Sequence, residues 1–203
     1  MGKKRERNTT VYCSVEGQVS ETSLLSHIKS FYSDSSSMKF PENPVKGGHP
    51  DNILAAALKY CHFDRCFAWI DEDKDLSEDI RGRLAAAWCL DEAQAVALIQ
   101  CPLKDIQATF NPTGKRKPTL VVSSPVCVES LILKIAGVNI PHGTFDVNQR
   151  SKQISDCKNA VNGLLLSRSL AVYLAEEVSK EVLDAKRLEI PELDLLIKMV
   201  SKT

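Results

Sequence analysis

The sequence predicts an α/β fold: a mostly parallel sheet with helices on both faces, followed by a helical C-terminal portion. Three observations carry this. Apolar, β-type runs alternate with helical patterns through the first part of the chain. The run CFAWI at 66–70 is apolar throughout, as a strand covered on both faces must be. From about residue 150 onward the pattern is helical only, with Pro191 as its one clear breaker.

Taken in order, TTVYCSVEG at 9–17 is a β-rich run that ends at Glu16-Gly17. Leu24, Leu25, Ile28 and Phe31 then fall at helical spacing, so 20–32 is a helix, with Ser20, Glu21 and Ser23 at its polar start. Residues 33–50 are rich in Ser, Pro and Gly and form a loop, with one short strand near Met38–Phe40. Pro50 opens a helix over 50–61, whose inner face is Ile53, Leu54, Ala57 and Leu58. The strand at 66–70 follows. Ser77 caps the next helix, with Glu78 and Asp79 favouring its dipole, and that helix is expected to run to about Leu98. NPTGKRKP at 111–118 is a basic turn, TLVVS at 119–123 a strand, and 125–137 a helix ended by Gly137. The expected organisation is a domain over 1–145 with a helical extension over 146–203 packed on it, or one domain over 1–203.

The chain has 203 residues, enough to bury a core without staples. Lys+Arg and Asp+Glu both number 26, so no overall field steers it toward nucleic acid or anionic lipid, and any such binding must come from local patches. The basic start MGKKRER is followed by no apolar run and fails the myristoylation pattern at Glu6. No segment approaches the ~18 apolar residues of a membrane span. Seven cysteines, odd in number and without a C-x-x-C pair, read as reduced thiols. Cys61, His62 and Cys66 offer three possible zinc ligands within six residues, but no second ligand pair follows at a zinc-binding spacing. A soluble, cytoplasmic protein is expected. Of the histidines, only His49 and His142 lie in Gly- and Pro-flanked loops.

Chemistry concentrates where strands end. The 66–70 strand runs into Asp71, Glu72, Asp73 and Asp75, and the first strand ends in Glu16. In a parallel sheet, ligand sites form beyond the carboxyl ends of the strands, so neighbouring strands would bring Glu16, Asp71 and Asp73 to one edge. The stretch DEDKDLSEDIRG is no calcium loop, because Leu76 stands at position six where the loop needs Gly, and Gly82 at position twelve where it needs Glu. A D-x-D after a buried strand also fits an Asp-nucleophile phosphatase of the haloacid-dehalogenase type, or a nucleotide-sugar glycosyltransferase. Neither accounts for an upstream strand ending in Glu-Gly.

Three pieces in order do: VYCSVEGQVSET, FDRCFAWIDEDKD and VVSSPVCVESLIL. Together they resemble the topoisomerase–primase (Toprim) domain, and within it the RloB-like branch related to OLD-family nucleases. The first and third pieces each carry one residue more than that pattern. The resemblance covers roughly 8–137 and implies a Toprim/Rossmann-like fold and a Mg²⁺- or Mn²⁺-dependent nuclease. Glu16, Asp71 and Asp73 would be catalytic, and Asp71, Asp73, Glu16, Glu21 and Glu129 would be the metal ligands. It further implies a prokaryotic antiviral-defence setting and DNA or RNA as substrate. No Walker motif is present, so any ATPase partner is a separate chain. A homo-oligomer stays open, as does a non-catalytic Toprim-like partner subunit. Lys115, Arg116 and Lys117, with the basic residues at 3–7, are candidate contacts to a nucleic-acid backbone, against the plainer reading of solvated loops.

Overall fold

The computed structural model describes residues 10–17, 19–33, 38–39, 48–110, 112 and 117–201. The strands β1 (Val11–Val15), β2 (Met38–Lys39), β3 (Arg65–Asp71) and β4 (Thr119–Ser123) form one sheet in the order β2-β1-β3-β4. Every pairing is parallel. All carboxyl ends therefore lie on the same edge.

Both faces of the sheet are covered, which is why the strands carry no polar alternation. Val11, Cys13 and Val15 of β1, Phe67 and Trp69 of β3 and Val121 of β4 point to one face. There they meet α1 (Ser20–Tyr32) and α6 (Val128–Ile135). Tyr12, Cys66, Ala68, Ile70, Leu120 and Val122 point to the other. That second face packs on α2 (Pro50–Lys59) and α3 (Glu78–Trp88). The odd and even positions of each strand thus feed two separate apolar layers.

The C-terminal helices are α7 (Arg150–Leu165), α8 (Leu170–Glu177), α9 (Lys180–Lys186) and α10 (Pro191–Val200). Leu174, Leu183, Leu193, Leu196 and Ile197 are buried in the same layer as β1 and α1. Arg65 at the start of β3 donates to the carbonyls of Lys198, Met199 and Ser201, placing a cation at the negative end of α10.

The expected single helix from 78 to about 98 is corrected to two. After Trp88, Cys89 adopts a left-handed conformation (φ 57°) and ends α3; Asp91 and Gln94 then form a capping box that starts α4 (Glu92–Gln100). The apolar run across 84–90 masked a D-x-x-Q start that was present in the sequence. A short α5 (Ile106–Phe110) leads toward β4.

One buried cation holds this hairpin to the loop after β3. Arg81, 2% exposed, donates to the carbonyls of Leu76 (3.3 Å), Leu98 (2.8 Å) and Cys101 (2.8 Å), and to Asp75 (2.5 Å). Arg81→Met leaves three carbonyls without this donor, with an expected loss of about 2–4 kcal/mol. Urea unfolding checks this, as a lower midpoint at unchanged m.

Candidate metal centre

The carboxyl edge of the sheet opens into a cleft of about 430 Å³. β1 and β3 are in register from Val11↔Arg65 to Val15↔Trp69, so the residues that leave these two strands emerge side by side. Glu16, Asp71 and Asp73 each bring a ligand oxygen within 4.8 Å of the others. Among the described residues this is where three or more metal-ligating side chains converge.

Local pairing sorts the acid run. Glu72 turns away and accepts from the Ser124 hydroxyl at 2.7 Å, while Asp75 accepts from Leu76 N and Arg81. Asp71 and Asp73, two apart, face the cleft. Each of the three clustered carboxylates has one oxygen held by a donor. Lys74 Nζ donates to Glu16 Oε1 at 2.9 Å, and Val128 N at the start of α6 donates to Asp71 Oδ1 at 2.9 Å. Arg150 donates through Nε and Nη2 to Asp73 Oδ2, at 3.0 and 2.7 Å. The other oxygen of Glu16, Oε2, has only a long contact from Asp71 N at 3.4 Å. Asp73 is 8% exposed, and its Oδ1 is buried with no hydrogen-bond partner among the described residues.

The β4–α6 loop supplies the Val128 amide. Val126, buried in that loop, sits at φ 76°, a conformation costly for a β-branched residue and found where surrounding structure imposes it. Lys134 pins the loop by donating to the Ser124 carbonyl and to Glu192.

Glu21 and Glu129 line the same cleft. Glu21, in the first turn of α1, is buried and accepts from Gly17 N at 2.6 Å. A Cβ at Gly17 would overlap the Glu21 carboxylate as it is now placed, so a side chain there would displace that carboxylate from its seat. Burial above all, and then Glu129 and Glu16, raise the Glu21 carboxyl above its ordinary range. Burial first, then Glu21, Glu16, Glu129 and Asp73, hold the Asp71 carboxyl well above the usual carboxylate range. Desolvation and like charge act together here, and a cation reverses both.

The donors present are all oxygens, as hard divalent ions require, and Mg²⁺ or Mn²⁺ takes one or two carboxylates and completes its shell with water and substrate. Asp73 Oδ1 is the atom that most needs such a partner. Asp71 and Asp73 fit a first ion, with Glu16 at its edge and Glu21 and Glu129 beside them.

The remaining sequence candidates fall elsewhere. Lys115, Arg116 and the basic residues at 3–7 lie outside the described residues. Lys117 donates to the Trp88 carbonyl at 2.8 Å, just before β4 and therefore at the edge of the sheet opposite the cleft. Cys66 donates from the core to the Ala57 carbonyl, and His62 packs on Tyr60 and Phe63, so Cys61, His62 and Cys66 form no ligand set. His49 caps α2 and His142 pairs with Asp156.

Three cations in the cleft were not singled out from sequence: Lys74, Arg150 and Lys158. One signal was available. Arg150 and Lys152 open α7, where the helix dipole disfavours positive charge and no acid is present. Comparison with protein-family models, with curated proteins and with solved structures finds no match.

Because folding raises the Asp71 carboxyl, the native state holds its proton more tightly than the unfolded chain. The contribution of this group to stability is then greatest in acid and falls as pH climbs past the ordinary carboxylate value. Asp71→Asn keeps an oxygen for Val128 N and should melt above the natural protein at about pH 7.5 in EDTA, the gap closing toward about pH 4. Thermal melts across that range test it; a gap that widens toward acid contradicts it.

Proposed function

We propose that this chain is a divalent-metal-dependent phosphodiester hydrolase acting on DNA or RNA, the Toprim-type nuclease that its three motifs resemble. The observation that carries the reading is Asp73 Oδ1, a buried carboxylate oxygen without a hydrogen-bond partner among the described residues, in a cluster with Glu16 and Asp71 at the carboxyl edge of a parallel sheet. A bound Mg²⁺ or Mn²⁺ supplies charge stabilisation at a phosphoryl oxygen and a hydroxide at neutral pH. Asp71 and Asp73 would hold it. Val128 N and Arg150 fix these two carboxylates by their other oxygens, as outer partners of metal ligands do. Lys74 holds Glu16 Oε1, which leaves Oε2 to take a proton from the attacking water or return one to the leaving oxygen.

The setting is consistent with this reading. Among the described residues no helix is long and apolar enough to cross a membrane. All seven cysteines are free thiols, which supports a cytoplasmic protein.

With Mn²⁺ at about 100 times its Kd, mass action stabilises the fold by about 2.7 kcal/mol, a Tm rise of roughly 5–10 °C at this chain length. Asp73→Asn should abolish that shift and, with it, cleavage of plasmid, single-stranded DNA or total tRNA. Differential scanning calorimetry paired with gel assays measures both. No metal-dependent shift and intact nucleic acid in every lane would identify a non-catalytic module. Hydrolysis that survives Glu16→Gln but not Asp71→Asn would instead identify an Asp-nucleophile phosphatase, which passes through an aspartyl-phosphate.

A further inference from the structure

The cleft is built asymmetrically. Its acids come from the sheet edge, α1 and α6, whereas two of its three cations come from α7. Arg150, Ile154 and Lys158 all line it, and they stand at i, i+4 and i+8, a single stripe along one face of that helix. The adjoining face is anchored: Gln153, Cys157 and Val161 are buried. Gln153 also accepts from Asp146 N and donates to the Thr144 carbonyl, which fixes the turn leading into Arg150. The stripe is therefore a rigid flank of the cleft.

Its chemistry runs cation, apolar, cation. Arg150 grips Asp73 beside the acid cluster. About 12 Å further along the helix, Lys158 is exposed and makes no ion pair or hydrogen bond within the described residues. Between them Ile154 is half-buried, and Val19, 70% exposed, lines the same cleft, so two apolar side chains border it. The cleft holds five carboxyl groups (Glu16, Glu21, Asp71, Asp73, Glu129) against three cations. One divalent ion would bring its formal charge to zero, leaving the α7 flank as its positive side.

We propose that this α7 stripe is the binding track for a single strand of nucleic acid, with Arg150 beside the reacting phosphate, Lys158 on a phosphate further along the same strand and an intervening base against Ile154 and Val19. The inference rests on the nuclease reading and narrows its substrate class to unpaired strand. A stacked strand rises about 3.4 Å per nucleotide, so about 12 Å spans three to four nucleotides, and fewer when the strand is extended. A base reaches an apolar side chain only where it is unpaired, since a duplex turns its bases inward and offers the cleft only backbone.

The test is fluorescence anisotropy with a short fluorescein-labelled oligothymidylate, and with the duplex it forms with oligoadenylate, in Ca²⁺ so that the strand is held without turnover. The natural protein should bind the single strand roughly tenfold or more tighter than the duplex. Lys158→Gln should lower the slope of log K against log salt by about 0.7, one single-strand phosphate contact. Ile154→Ser should weaken the single strand several-fold with the salt slope unchanged. Both variants should keep the full Mn²⁺ shift in Tm, which shows the acid cluster intact. Single-strand binding unaffected by either substitution, or a duplex bound as tightly as the strand, overturns the track and leaves the nuclease reading standing. A natural protein that takes up Mn²⁺ yet binds neither strand nor duplex overturns both.

Discussion

Carboxylates crowded at one edge of a parallel sheet repel one another, and the structure around them is organised by how that repulsion is contained. Glu16, Asp71 and Asp73 stand within 4.8 Å, in a cleft that removes much of their water. Each keeps one oxygen under a donor: an ammonium, a backbone amide at a helix start and a guanidinium, respectively. These donors come from three separate places in the chain. Holding them requires the loop before α6, the loop after β3 and the first turn of α7 all to arrive at one edge. Containment is incomplete, because Asp73 Oδ1 has no partner among the described residues and the Asp71 carboxyl is held well above its ordinary range. Burial and like charge leave these groups less well satisfied than acids on an open surface, and a cation would relieve the repulsion.

The C-terminal helices take part in this arrangement in two ways. Leu193, Leu196 and Ile197 of α10 complete the apolar layer over β1, and Arg65 ties α10 to the start of β3. Meanwhile α7 carries Arg150 and Lys158 to the opposite edge, where the acids are. The helical portion is thus core at one end of the sheet and site at the other. The second layer is held by a different device: Arg81 bonds three carbonyls and so fixes the α3–α4 hairpin to the segment that follows the D-x-D.

Much of this was legible in the residues. An apolar strand running into acids, a first strand ending in Glu-Gly and the strand–helix alternation bring Glu16, Asp71 and Asp73 to one edge provided the two strands are neighbours, and β1 and β3 do pair. Glu21 and Glu129 follow only from the Toprim resemblance, and both line the cleft. The break at Cys89–Asp91 was written as a capping box, but the apolar stretch ahead of it obscured the signal. Glu72 and Asp75 could not be separated from Asp71 and Asp73 by composition, since all four are acids in one short run. Their partners Ser124 and Arg81 decide it, and those are tertiary neighbours.

What the sequence by itself determined is periodic or local: which runs are strands, which faces are apolar, where helices start, and that strand ends carry carboxylates. Local sterics and side-chain spacing suffice for that. What only the tertiary structure decided is which charges meet. Arg150 lies 77 positions from Asp73, and Val128 lies 57 from Asp71. No periodicity links residues so far apart, and the separation of acid from counter-ion is set by how the helices close over the sheet. The same closure places the α7 stripe beside the acid cluster and leaves Lys117 on the far edge, although both are basic segments of similar appearance. Charge is written in the chain, but whether two charges share one cleft depends on packing.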